Sequence, residues 1–349
     1  MCEVSPTWWP ESTLRAAAPL LHLVEQRRIR RRRVFVLRFS GRMIWSAAML
    51  RCGYLSPDYV ASQAECGHPL TLPRSGGWLL ERRIPGSEAV DAMGSYPIFC
   101  CSDWSALSDD LAGLGDRLVS VVLVTDPFGP DDPAALAGAF NRGLTHYKDH
   151  HVIDLDVPLD RSACPHHRRN ARKALARHRV EEIDKPLTCL DTWCGLYAEL
   201  IRRHGITGVS RFSRQSFQRQ LAAPGLVAFG AIADTREIVG MILWYCQGKV
   251  GYYHLAAYSP RGYAENASYA LLWASAERLR GRVRWLSLGA GAGATCDGAD
   301  GLTRFKRGWS PLVRPAYLGR HVARPRRYAE LCRDRPATDF FPAYRYKSA

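Results

Sequence analysis

From Leu226 to Tyr258 the chain is apolar in three consecutive runs. LVAFGAIAD is followed across Thr235-Arg236 by EIVGMILWYC, and that run across Gln247-Gly248 by KVGYYHLAAY. Val, Ile and aromatic side chains dominate, and the breaks leave room only for tight turns. The pattern predicts three sequential antiparallel strands. AENASYALLWASAERLR then reads as a helix, and VRWLSLGA as a further strand that runs out in the glycine-rich GAGAGAT. Upstream, LDTWCGLYAELIRRHGI places Trp193, Leu196, Tyr197, Leu200 and Ile201 on one side of an amphipathic helix, which marks them as core.

The first half is less regular. Leu118 to Val124 is a continuous apolar run closed by Asp126-Pro127 and Gly129-Pro130, as expected of a buried strand. A short helix is expected over DPAALAGAFNRGLTHYK, then a strand from His151 to Val157. Residues 50 to 95, rich in Gly, Pro and Ser, read as loops. Near the start, six arginines within Arg27 to Arg33 run into VFVLRF, a strand-like stretch. They suit either a phosphate-contacting edge or a solvated lead-in. The change in regularity places a boundary near residue 150, giving halves 1–150 and 151–349; no internal repeat is visible.

Charge changes the picture most. Forty-eight Lys and Arg face 33 Asp and Glu, a net charge of +15 in a chain of 349 residues, and arginine is much the commoner cation. A guanidinium fork suits phosphate, so an anionic polymer, a nucleotide or a phosphorylated substrate is an expected partner. SACPHHRRNARKALARHRV reads as a helix starting near Ser162, with Ala171, Ala174 and Leu175 on its inner face. It concentrates Arg168, Arg169, Arg172, Lys173, Arg177 and Arg179 with no acid among them. Such a helix lacks the i,i+4 acid–base pairs of a solvated surface and is expected to meet an anion.

The eleven cysteines form no C-x-x-C, are odd in number and irregularly spaced, which reads as reduced thiols in a cytoplasmic protein. Cys66 and His68 lack two further ligands, so no metal is expected. The N-terminus lacks the pattern of a secretion signal, and no stretch nears the roughly 20 apolar residues of a membrane span.

The decapeptide GLTRFKRGWS, Gly301 to Ser310, sets Lys306 between Arg304 and Arg307 and frames the three cations with Phe305 and Trp309. Three antiparallel strands, a helix and a further strand make an α+β arrangement that resembles the core of the GNAT acyltransferase superfamily. LSLGAGAG followed by DGLTRFKRGW resembles the terminal motif of the Fem-like (FemABX) group, where a Gly-rich loop leads to a Phe-Lys pair. HHRRNARKAL resembles the Arg-rich helix at the entry to their second half. The resemblance covers roughly residues 150 to 320 well and the first 150 in outline.

This resemblance implies tandem GNAT-like domains, each a mixed, mainly antiparallel sheet flanked by helices. It implies transfer of an amino acid from aminoacyl-tRNA to an amine, with no further cofactor. The acceptor would be a peptidoglycan precursor or, as in relatives serving natural-product (antibiotic) pathways, a small amine or hydroxylamine. Phe305 and Lys306 match the motif's pair, with the lysine near the acceptor end of the tRNA. A fixed cation there would stabilise the oxyanion and the leaving hydroxyl. Phe305 or Trp309 would stack on a terminal base unless both are plain core, and Arg304 and Arg307 would bind beside them. The Arg168, Arg169, Arg172, Lys173 and Arg177 row would hold the tRNA.

Two other readings stay open. Acyl-CoA enzymes of the GNAT type hold pyrophosphate on backbone N–H groups in an Arg/Gln-x-x-Gly-x-Gly/Ala loop. The matching stretch here, SPRGYAENASY, keeps Arg261 and Gly262 but puts Glu265 where an anion would approach. A non-catalytic RNA-binding protein is the third reading. Among proton-handling groups, His254 lies mid-strand beside Tyr253 and Tyr258, and His254 and Tyr258 join Lys306 as catalytic candidates. A buried, hydrogen-bonded structural histidine suits the same apolar strand, and transfer that uses the substrate's own phosphate or ribose hydroxyl would need no protein base. His204 is expected to cap a helix or line the pocket, His166-His167 to belong to the binding surface, and Asp126 to form a turn.

Overall fold

The computed structural model describes residues 51–130, 132–291 and 300–346. The arginine run at 27–33, the strand expected after it and most of the GAGAGAT loop lie outside the described residues. Eleven strands form one open sheet: β1 His68–Thr71, β2 Trp78–Arg83, β3 Val90–Gly94, β4 Leu118–Val124, β5 Leu144–Asp154, β6 Arg179–Glu182, β7 Leu226–Ile232, β8 Ile238–Gln247, β9 Val250–Tyr258, β10 Trp285–Gly289 and β11 Val313–Val322. Their spatial order is β1-β2-β3-β4-β11-β5-β10-β9-β8-β7-β6. Only β3–β4 and β9–β10 pair in parallel; the other neighbours are antiparallel.

The expected three-strand unit is β7-β8-β9. Arg236, with φ 66°, and Gly248, with φ 57°, turn the chain at the two predicted breaks. Helices flank the sheet: α1 Pro57–Ala61, α2 Leu107–Ala112, α3 Ala134–Ala137, α4 Leu159–Ser162, α5 Pro165–Leu175, α6 Leu190–His204, α7 Arg214–Ala222, α8 Pro260–Ala264, α9 Ala267–Leu279, α10 Gly301–Arg307 and α11 Pro325–Cys332. On one face of the second half, Phe229, Ile242, Trp244 and Tyr258 pack with α5, α9 and Trp309. On the other, Ala228, Met241, Leu243 and Ala257 pack under α6 and α7 through Trp193, Tyr197, Phe217 and Leu221.

Three expectations need correction. Residues 50 to 95 carry β1, β2, β3 and α1 rather than loops alone; these elements are short and separated by Gly and Pro turns, which hides their period. The helix expected over 132–148 shrinks to the four residues of α3, and β5 begins at Leu144. Ser162 closes α4, so α5 starts from Cys164, and Leu175 is 36% exposed while Ala171 and Ala174 are buried.

Strand β9 opens the sheet at one point and redirects its own side chains there. It pairs with β10 only over Val250–Tyr252 and Trp285–Ser287, and then continues to Tyr258 paired with β8 alone, so the two parallel strands part. Just past that point, Leu243 lies opposite Leu255 and Trp244 opposite Tyr253, which leaves His254 as the extra residue of a β-bulge. A bulge re-aims the side chains on either side of it. Tyr253 and Tyr258, five residues apart, thereby reach the same face of the sheet.

Candidate active site

Helix α10 explains the cation triplet. Asp300 caps it, its Oδ1 accepting from the backbone N–H groups of Leu302 and Thr303 at 2.9 Å each. From that start Arg304 and Arg307 face solvent, while Lys306 points inward and is only 6% exposed. Its Nζ donates to the Ala290 carbonyl at 2.5 Å and lies 5.7 Å from the centre of the Tyr253 ring. Ala290 directly follows β10, so the ammonium sits where β9 and β10 part. Burial first, and then the positive charge of Lys148, bring Lys306 down from the ordinary lysine range to about 7; Asp300 opposes the shift.

The opening gathers groups from three strands. Lys148 on β5 donates to the Gly291 carbonyl at 3.0 Å, one residue beyond the carbonyl that holds Lys306. His150, two residues on, places Nδ1 3.5 Å from Ser287 Oγ on β10. Burial, then Lys306 and Lys148, push His150 down to about 3, so its ring is neutral. His151 is lowered by burial, then by Lys306 and Arg307. On β9 Tyr253 and Tyr258 face the same side of the sheet, and burial above all raises both phenols. The site therefore combines two lysines, a neutral histidine, a serine and a pair of tyrosines.

Strand alternation puts His254 on the opposite face from Tyr253, and the bulge puts it on the opposite face from Tyr258 as well. Tyr253 packs on Trp244, whereas His254 packs among Tyr54, Tyr59, Tyr245 and Phe212. There Nε2 lies 3.0 Å from Gln220 Oε1 and Nδ1 3.2 Å from the Tyr54 hydroxyl. Gln220 Oε1 only accepts, so Nε2 carries the proton and Nδ1 accepts from Tyr54. Burial lowers His254 to about 3. Both ring nitrogens are engaged, so the expectation that His254 is the general base is corrected: it is a satisfied core histidine. Tyr258 stays on the lysine side.

Trp309 is also corrected. It is fully buried against Tyr269, Trp273, His167 and Phe305, and presents no face to a nucleobase. Phe305 is half-buried beside it. His204 ends exposed at the last turn of α6. Asp126 forms its turn through the Phe128 N–H at 2.9 Å and also accepts the Tyr252 hydroxyl at 2.7 Å, with burial raising its carboxyl.

Helix α5 is amphipathic in an unusual sense: Ala171 and Ala174 face inward, while Arg169, Arg172 and Lys173, and Arg177 just past its end, are exposed and Arg168 half-exposed. Among the described residues none of these five cations has an acidic partner at ion-pair distance. The helix is tied to α10 through the buried His167, whose Nε2 donates to the Phe305 carbonyl at 2.8 Å while Nδ1 lies 3.2 Å from Cys164 Sγ. A Cβ at Gly308 would collide with the His167 ring, so α5 and α10 approach as closely as glycine permits.

The stretch around Arg261 is closed. The Gly262 N–H donates to Ser259 Oγ at 3.1 Å, and a Cβ at 262 would strike the Val239 carbonyl, so this glycine serves helix-on-strand packing. Arg261 is held by Asp234 at 2.6 Å and Glu265 at 3.0 Å, and Glu265 lies 3.3 Å from the buried His178. No group of His, Cys, Asp and Glu among the described residues could hold a metal ion, and no helix there is long and apolar enough to cross a membrane.

The sequence singles out Lys306 and the α5 row as candidates, but not Lys148, His150 and Ser287, which the structure brings beside Lys306. The signal available was the alternation of charged and imidazole side chains in HYKDHH, which fits a strand with one face in a site.

An acetyltransferase (GNAT) domain model matches residues 162–307. A comparison of the sequence with curated proteins gives no match. Among solved structures, FemX is similar with a TM-score of 0.57 at 14% identity, over 78% of this chain and 93% of that one. A conserved protein of unknown function from Bacteroides thetaiotaomicron has a TM-score of 0.54 at 14% identity, over 78% and 92%. The C-terminal domain of a putative lysylphosphatidylglycerol synthetase from Agrobacterium fabrum has a TM-score of 0.56 at 12% identity, over 78% and 88%. The chain thus matches a GNAT acetyltransferase domain over residues 162–307 and shares the fold of FemX.

Proposed function

We propose that this chain is an aminoacyltransferase that takes an amino acid from aminoacyl-tRNA and passes it to an amine acceptor. The observation that carries the reading is the contrast between two cationic sites. Where acyl-CoA enzymes of this fold hold pyrophosphate, the Gly262 N–H is spent on Ser259 and Arg261 is locked by Asp234 and Glu265. Beside α10, by contrast, α5 and Arg177 just beyond it offer five cations without acidic partners among the described residues, the footprint of a polyanion. The likeness to a protein named as a putative lysylphosphatidylglycerol synthetase, whose product bears an aminoacyl group, supports the same reading.

On this reading phosphates of the tRNA lie along Arg168, Arg169, Arg172, Lys173 and Arg177, with Arg304 and Arg307 at the near end. His167 and Gly308 fix the distance between that surface and Lys306. The aminoacyl ester enters where β9 and β10 part. The acceptor amine attacks the ester carbonyl, and the Lys306 N–H, with the Tyr253–Tyr258 pair beside it, stabilises the oxyanion in a site largely shielded from water.

The test is a deacylation and filter-binding assay with a tRNA pool charged with labelled amino acids, an acetyl-CoA arm and Lys306→Ala. Selective retention or release of one amino acid, lost in Lys306→Ala, is expected. Turnover of acetyl-CoA with charged tRNA ignored would replace this reading with an acyl-CoA N-acyltransferase. Salt-dependent RNA binding with no consumption in either arm would leave a non-catalytic RNA-binding protein.

A further inference from the structure

Lys306 and Lys148 reach the same opening from opposite directions, one from α10 and one from β5. Their ammonium groups are hydrogen-bonded to consecutive carbonyls, Ala290 at 2.5 Å and Gly291 at 3.0 Å. Like charges brought so close in a buried place favour loss of a proton from the more buried of the two. The other groups facing Lys306 do little to restore its charge. His150 and His151 on β5 are themselves pressed toward the neutral form. Tyr253 on β9 is an un-ionised ring, and Arg304 and Arg307 on α10 add positive charge at the surface. Asp300 is the acid that acts on it, and its Oδ1 is engaged in capping α10.

We propose that Lys306 cycles between amine and ammonium during transfer, and that Lys148 is the positioning residue that makes the cycle possible. The inference rests on the aminoacyl-transfer reading of the site. As the acceptor nitrogen forms its bond to the ester carbon, the carbonyl π pair moves to oxygen and the nitrogen's proton passes to the Nζ lone pair of Lys306. Collapse of the oxyanion breaks the carbon–oxygen ester bond, and the departing ribose oxygen takes that proton back. Lys306 ends as the amine it began as, and no external base or oxidant is needed. A lysine flanked by another ammonium is a known way to hold an amine ready at neutral pH.

The test has two arms. The first follows the side-chain NMR signal of Lys306 against pH in isotopically labelled protein, assigned with Lys306→Arg and compared with Lys148→Met and Lys148→Arg. A midpoint near neutrality is expected in the native chain, higher by about one pH unit in Lys148→Met and little changed in Lys148→Arg. An unmoved midpoint in Lys148→Met, or a native lysine that stays charged to the ordinary lysine range, overturns the proposal. The second arm measures single-turnover transfer from charged tRNA across pH. Its acid limb must follow the same midpoint, and a limb that stays put in Lys148→Met also overturns it. If charged tRNA is ignored while the first arm shifts as expected, the donor assignment fails and the transfer cycle falls with it, whereas the Lys148–Lys306 pairing stands.

Discussion

Asp91 in the first half and Lys306 in the second are both buried, and they are treated in opposite ways. In the first half Asp91 is wholly enclosed, but Arg345 reaches it with two bonds of 2.5 and 2.8 Å, Arg82 with one of 3.2 Å and the Tyr344 hydroxyl with one of 3.1 Å. In the second half Lys306 is almost as buried and has a carbonyl, an aromatic face and a second lysine for company. The two parallel strand pairs differ likewise. Beyond β3, Phe99 bridges to Thr125 and donates its N–H to the Val124 carbonyl, and apolar Leu123 and Phe99 fill the space. Beyond β9 and β10 the strands part around lysines, a histidine and a serine. A compensated charge in a closed seam holds the fold; a weakly compensated one in an open seam is the candidate for a functional group.

The comparison breaks most sharply if both charges are removed. Lys306→Ala is expected to lower transfer by about a hundred- to a thousandfold, the loss typical of an oxyanion donor, with the melting temperature not reduced. Asp91→Ala should do the reverse. It strands two guanidinium groups and is expected to destabilise the protein by about 3–5 kcal/mol, while what remains folded keeps its rate per molecule. Steady-state kinetics beside thermal denaturation decides both. An Asp91→Ala protein as stable as the native one would sink the contrast.

The pH dependence sharpens it. Lys306 titrates near 7 in the folded chain and about three units higher when unfolded. Between those values the unfolded chain binds a proton that the folded chain has lost, so stability rises with pH across that window. Below about 7 the folded state must bury the charge and carries the full penalty. Lys306→Met is therefore expected to be more stable than the native protein by a few kcal/mol at pH 6, with the gain fading toward pH 10. Denaturant unfolding at both ends measures it; no gain at pH 6 would mean that the burial of this ammonium is compensated after all.

Replacing Arg169, Arg172 and Lys173 with Gln attacks the outer surface and spares the seam. The expected effect is a rise in KM for charged tRNA of about tenfold at moderate salt, with kcat changed little and the salt dependence of binding made shallower by about three ions. Equal loss in kcat would place these side chains at the chemistry rather than at the docking surface.

Much of the second half was legible because its strands are buried on both faces and its helices on one, so period and composition agree from Leu226 to Gly289. The first half was not. β1 to β3 are four to six residues long between Gly and Pro turns, and the apolar AALAGAF masked the onset of β5. Lys306 was visible in its motif. Lys148 and His150 were not, because they meet Ser287 only through the pairing of β5 with β10, across some 130 residues of chain. Nor does any local pattern announce a bulge. A plain strand read puts His254 on the same face as Tyr258, and one inserted residue turns it away.

That reversal makes the smallest effect an informative one. His254→Gln removes the imidazole that links Tyr54 to Gln220, in a region far more apolar than the lysine site. Leaving those buried polar groups imperfectly paired is expected to destabilise the protein by about 1–3 kcal/mol. Because both ring nitrogens already serve the core and the ring lies across the sheet from Tyr253, kcat should stay within about threefold of the native value and the acid limb of the pH profile should not move. A general base would show the opposite signs, a large loss in kcat and an altered limb with little change in stability. The paired measurement of melting temperature and pH–rate profile on this one variant therefore separates a histidine that holds two helices and a strand together from one that moves a proton.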